Sequence, residues 1–249
     1  MRNIRHTLTL LLLWVSFSTA SALPQRTQSF WMRVLKLLGV TATPANQKGD
    51  EDPVTDGDIW LYKVEQKISF VLKQGNFRSP IFMPGGNAVL ALSGEKVVRF
   101  DLTINGVEVD ASAPAELLTL PGIQKLISVD GDAPDQVLVL TDLDNDNCPG
   151  VGVLTLTDRT VSPLQHSTKD DQDLVTYLKR SEREYDDGTK LEVRIVSKSR
   201  TGTPVSATDA FMQLPRKGWI NISQCRPGIN CGQPTISSDR KFVLFVGKA

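Results

Sequence analysis

The chain has 249 residues, 28 basic and 28 acidic side chains and 40% hydrophobic residues. Balanced charge lacks the basic stripe that a nucleic-acid backbone demands. No apolar run reaches the ~20 residues of a membrane-spanning helix.

The first 22 residues read as a secretory leader. Arg2 and Arg5 precede the apolar run Leu8–Val15, and Ala20-Ser21-Ala22 supplies the small-residue cleavage site. The expected product begins at Leu23, is exported to a periplasmic or extracellular space, and keeps no transmembrane segment. Residues 23–56 form a lead with a helix over 28–38, where Phe30, Val34 and Leu37 recur at helical spacing beside Trp31, Leu35 and Leu38. Gly39 is a good stop for that helix.

From residue 57 onward the rhythm is that of short strands. "DIWLYKV", "KISFVL", "NAVLAL", "KVVRFDL", "QVLVLTDL", "GVGVLTLTD", "KLEVRIV", "DAFMQLP", "WINIS" and "KFVLFVG" are separated by Gly, Pro, Asn and Asp. A helical insertion is expected near 171–183, where Leu174 and Leu178 share a face, with aspartates before them and basic residues late. The acidic and mixed clusters "KDDQD" and "SEREYDD" then read as the solvated caps of that helix.

Many short, evenly spaced strands fit a sandwich, a barrel or a repeat array. Self-similarity favours the array. "SPIFMPGGNAVLAL" (79–92) lies over "QPTISSDRKFVLFV" (233–246) without gaps, so Pro80 meets Pro234, Pro84-Gly85 meets Ser238-Asp239, and Val89-Leu90 meets Val243-Leu244. Together with Gly57-Asp58-Ile59-Trp60-Leu61, these segments resemble the WD40-like propeller repeat of the TolB type, with degraded turn residues in both copies. The resemblance implies an all-β fold over 57–249, a small β-propeller of four or five four-stranded blades. Its ring would be closed by N- and C-terminal strands of one blade, so that "KFVLFVG" lies beside "DIWLYKV". It also implies action by protein contacts rather than catalysis.

Groups that could carry chemistry are few. Beyond the leader there is one histidine, His166, and no Gly-x-Ser-x-Gly elbow, His-Glu-x-x-His or glycine-rich phosphate loop. In "TDLDNDNCPG", Asp142, Asp144 and Asp146 alternate as the first ligands of a calcium loop do, but the twelfth position is Val153 rather than a closing glutamate. A polar turn explains the same residues. In an oxidising compartment Cys225 and Cys231 of "CRPGINC" are close enough for a disulfide, leaving Cys148 over. Asn221-Ile222-Ser223 matches a glycosylation sequon. The expected function is therefore a non-catalytic interaction or envelope scaffold with a protein or envelope partner. The alternative is a metal-dependent propeller enzyme, or a calcium-stabilised ligand-binding protein using the Asp142–Asp146 loop.

Overall fold

The structure is a computed structural model that describes residues 56–83, 86–106, 108–127, 135–142, 150–163, 183–185, 187–199, 204–224 and 229–248. In chain order the strands are β1 (Gly57–Lys63), β2 (Ile68–Phe82), β3 (Ala88–Ser93), β4 (Lys96–Asn105), β5 (Glu108–Ala111), β6 (Ala115–Thr119), β7 (Ile123–Ile127) and β8 (Gln136–Thr141). They continue as β9 (Gly150–Thr155), β10 (Thr160–Pro163), β11 (Arg183–Glu184), β12 (Lys190–Ser199), β13 (Pro204–Gln213), β14 (Trp219–Asn221), β15 (Asn230–Ile236) and β16 (Phe242–Lys248).

Three antiparallel sheets result. The largest has the order β15-β16-β1-β2-β3-β4-β5, with β6 also on β4; the others run β10-β9-β8-β7 and β11-β12-β13-β14. The strands expected to meet across the chain do so: β1 pairs with β16, from Asp58 opposite Gly247 to Lys63 opposite Phe242. That pairing explains why "IWLY" is apolar at every position. Ile59 and Leu61 enter one buried cluster with Leu244, while Trp60 and Tyr62 face another with Val243 and Phe245. A strand buried on both faces reads as a continuous apolar run rather than an alternation.

The large sheet is two units that share β2: β15-β16-β1-β2, and β2-β3-β4 with both β5 and β6 on β4. The first half of β2 pairs with β1 and its second with β3. The strand stays continuous past Gly75, at φ 152°, and Ser79, at φ 48°. The buried clusters stack the units in order. Leu191, Met212 and Ala210 pack on Tyr62 and Phe245; Ile59 and Leu61 pack with Val89 and Phe100; Leu90 and Leu92 pack on Leu126 and Val139.

This corrects the expected architecture. The chain is all-β, but each sheet is antiparallel and runs open from one edge strand to the other, and the described residues do not close a four- or five-bladed ring. Because β2 passes unbroken between two units, those units share one sheet instead of standing as separate blades. The described residues contain no helix. The helix expected over 28–38 lies outside them, as does the insertion near 171–183 except for Arg183, which belongs to β11. "SEREYDD" does not cap a helix at its described positions either. Arg183 and Glu184 pair with β12, and Tyr185 accepts from Gly188 N at 2.8 Å to make a turn.

The sequence repeat is present in atomic detail. Met83 N donates to Ala88 O and Gly86 N to Met83 O, both at 2.9 Å; Ser237 N donates to Phe242 O and Arg240 N to Ser237 O, also at 2.9 Å. Gly86 and Arg240 occupy the same turn position with φ 72° and 62°. In the second copy the side chains reinforce the turn: Ser237 Oγ donates to Asp239 at 2.7 Å and accepts from Phe242 N at 3.0 Å.

Candidate functional site, the outer face of the β12–β14 sheet

Strands β12, β13 and β14 alternate between the core and the outside. Leu191, Ala210 and Met212 are buried in the core, and Ile220 packs against them. The alternate positions, Glu192 and Arg194 on β12, Asp209 and Phe211 on β13, and Trp219 and Asn221 on β14, share the opposite face. Register sets the neighbours: Glu192 lies across from Phe211, Arg194 from Asp209, and Phe211 from Asn221.

Arg194 lies across this face. Its guanidinium carbon is 4.8 Å from the Phe211 ring centre and 4.2 Å from that of Trp219. Its Nε donates to Glu192 Oε1. The side chain keeps 39% of its surface exposed. Each cation–π contact at such a partly exposed site contributes about 0.5–1 kcal/mol. Among the described residues Arg194 bonds only through Nε, which leaves Nη1 and Nη2 without a protein acceptor.

Asp209 lies directly across from Arg194 in the register. It is 2% exposed, and its carboxylate accepts from Asn221 Nδ2 at 2.8 Å and Ser223 Oγ at 3.0 Å. Ser223 Oγ accepts in turn from Ala210 N at 3.0 Å, and Asn221 Oδ1 from Gln224 N at 2.8 Å. A serine beside a carboxylate has the composition of a nucleophile and its base. Ser223, however, is 2% exposed and its hydroxyl is engaged on both sides. The network fixes the backbone of β14 on β13 and offers no approach to a substrate. The chemistry left on the face is recognition by a guanidinium whose plane is set by two rings and whose Nε is set by a carboxylate.

A second polar junction is structural. Arg78 on β2 donates through Nη2 to Ile123 O of β7 at 2.7 Å and lies 3.7 Å from Asp56 through Nη1, tying the large sheet to the β7–β10 sheet. A third joins the β11–β12 turn to the last hairpin, where Arg240 Nε donates to Asp187 at 2.9 Å with its guanidinium 4.6 Å from the Tyr185 ring.

The residues expected from sequence are placed as follows. Asp142 follows β8, with its N–H 3.4 Å from Gly122 O. Asp144 and Asp146 lie outside the described residues, and among those described no three His, Cys, Asp or Glu side chains group as a metal site. Val153, the twelfth position of that loop, is held in β9 opposite Leu138 and Ser162. Cys231 is fully buried on β15, opposite Gly247 of β16; Cys225, Cys148 and His166 lie outside the described residues. Asn221 of the sequon is engaged with Asp209 and Gln224. Sequence reasoning missed Glu192, Arg194, Phe211 and Trp219. The available signal was the two-residue alternation in "KLEVRIV", "DAFMQLP" and "WINIS", which puts Glu192, Arg194, Phe211 and Trp219 on the side opposite the apolar positions.

No family model matches the chain, and no curated protein matches it in sequence. Among solved structures it is similar to a candidate TolB from Agrobacterium tumefaciens at 13% identity with a TM-score of 0.35, covering 77% of this chain and 62% of that one. The chain thus spans less than two thirds of that protein's length.

Proposed function

We propose that the protein is an exported, non-catalytic β-scaffold that binds a protein or envelope partner through the outer face of β12–β14. The observation that carries this reading is the part-exposed Arg194 held between Phe211 and Trp219. Aromatic residues and arginine are the side chains enriched at protein interfaces and at their energetic centres. Here they sit on a sheet whose other face is packed into the core, so little conformational freedom is lost when a partner docks. The basic, apolar, Ala-x-Ala leader supports export. No helix among the described residues is long and apolar enough to cross a membrane.

The test is affinity capture from an envelope extract with the exported chain and with Trp219→Ala. A partner held by the parent chain and lost from Trp219→Ala, at unchanged circular dichroism, supports the reading. Equal recovery by both chains overturns it.

A further inference from the structure

We propose that the β12–β14 face recognises an acidic side chain of an extended peptide segment in its partner, received by the Nη1 and Nη2 donors of Arg194. The proposal rests on the reading of this face as the binding surface and specifies the chemistry read there. Other polar groups of the face are matched within the chain. Asp209 is held by Asn221 and Ser223, Lys190 lies 3.0 Å from Glu184, and Glu192 takes the Nε of Arg194. The Nη donors of Arg194 lack an acceptor among the described residues.

A guanidinium pre-set in this way suits a carboxylate, because two parallel N–H···O bonds form without freezing a mobile side chain. Phe211 and Trp219 beside it give apolar surface to the residues that flank the acid. Glu192, 20% exposed, sits at the Nε side. Its repulsion grows with the charge of the incoming group, so a singly charged carboxylate is tolerated better than a phosphate dianion.

The experiment uses the exported chain with labelled, amidated hexaglutamate as probe, and hexalysine and inorganic phosphate as comparisons, read by fluorescence anisotropy at two salt concentrations. Hexaglutamate is expected to bind and hexalysine is not, with affinity falling as salt rises. Arg194→Lys keeps the charge but loses the planar fork, and is expected to weaken binding at least tenfold. Glu192→Gln removes the neighbouring carboxylate and is expected to tighten binding several-fold, which keeps the idea testable should the arginine variant fold poorly. Unchanged affinity in both variants overturns the proposal. Phosphate binding as tight as hexaglutamate overturns it in favour of a simple anion site. A self-associated chain that Arg194→Lys makes monomeric overturns it in favour of a second copy as occupant. Capture of the partner that survives Arg194→Lys but not Trp219→Ala overturns this inference and leaves the binding face standing. Indifference to Trp219→Ala removes both.

Discussion

Ser79 and Gln233 stand 154 residues apart and at equivalent positions of the repeat, and the Ser79 N–H donates to the Gln233 side-chain carbonyl. Both have left-handed backbones, φ 48° and 53°, immediately before a proline. Each marks an irregularity in its strand, between Arg78 and Ile81 in β2 and between Gly232 and Thr235 in β15. The repeat therefore makes contact with itself at the point where each copy bends.

Replacing Gln233 with Ala leaves the N–H of Ser79, a residue 4% exposed, without that acceptor. A buried donor deprived of its partner costs about 1–3 kcal/mol. Urea unfolding should show a lower midpoint by that amount with an unchanged slope.

Gly247 allows Trp60 to lie across the β1–β16 pair. A Cβ at Gly247 would stand 2.5 Å from the indole Nε1, and one at Gly57 would run into Gly247 O. Trp60 stacks on Phe245 at 6.0 Å with the rings 17° apart. Gly247→Ala is therefore expected to destabilise the fold by about 1–3 kcal/mol, the usual cost of forcing atoms into a filled site. A red-shifted tryptophan emission would report the displaced indole.

Acid should loosen the contact between the β11–β12 turn and the last hairpin. Burial raises the Asp187 carboxyl, but hydrogen bonds from the Thr189 N–H and from Arg240 outweigh it and hold the group below the usual aspartate range. Asp239 behaves alike, with burial overcome by the Ser237 hydroxyl and the Lys241 N–H. Because both folded values are depressed, their stabilisation is complete above the unfolded value near 3.8 and is lost as pH falls through the lower folded values. Unfolding midpoints measured from pH 6 down to 2 should decline, and Arg240→Ala should flatten part of that decline.

Asp209→Ala would take the acceptor from the half-buried Asn221 amide and the buried Ser223 hydroxyl. Losing an acceptor shared by one buried and one half-buried donor is expected to cost about 1–3 kcal/mol. The same bonds make Asn221 a poor glycan acceptor despite its sequon. Intact mass after secretion from a eukaryotic host should show no glycan on Asn221, and a glycosylated peptide there would contradict the network.

In an oxidising compartment Cys225 and Cys231 are expected to pair. Peptide mapping without reductant should recover them as one linked fragment. Reduction should lower stability by about 2 kcal/mol for so short a loop.

The part of the fold legible in sequence was the part that repeats. The 79–92 and 233–246 segments announced the paired turns, and the resemblance they carry implied that "KFVLFVG" lies beside "DIWLYKV", as it does. The ring and the helix at Arg183 did not hold, because local pattern cannot say how far a strand runs or what a charged turn bonds to. β2 runs on past Gly75 and Pro80 through bulged backbone, with Gly75 N taken by the Asp58 carboxylate at 2.8 Å. The candidate site was hidden for a related reason. Glu192, Arg194, Phe211 and Trp219 come together only through the register of three strands, and that register is set by Leu191, Ala210 and Met212 on the other face.

The pairing of β1 with β16 also fixes an order of events. During synthesis β1 emerges long before the strand that covers it. Until then Ile59 and Leu61 lie on an unprotected sheet edge, in a segment well suited to pair with a wrong chain. Shielding that edge until the last strand arrives is therefore expected to raise the yield of folded chain.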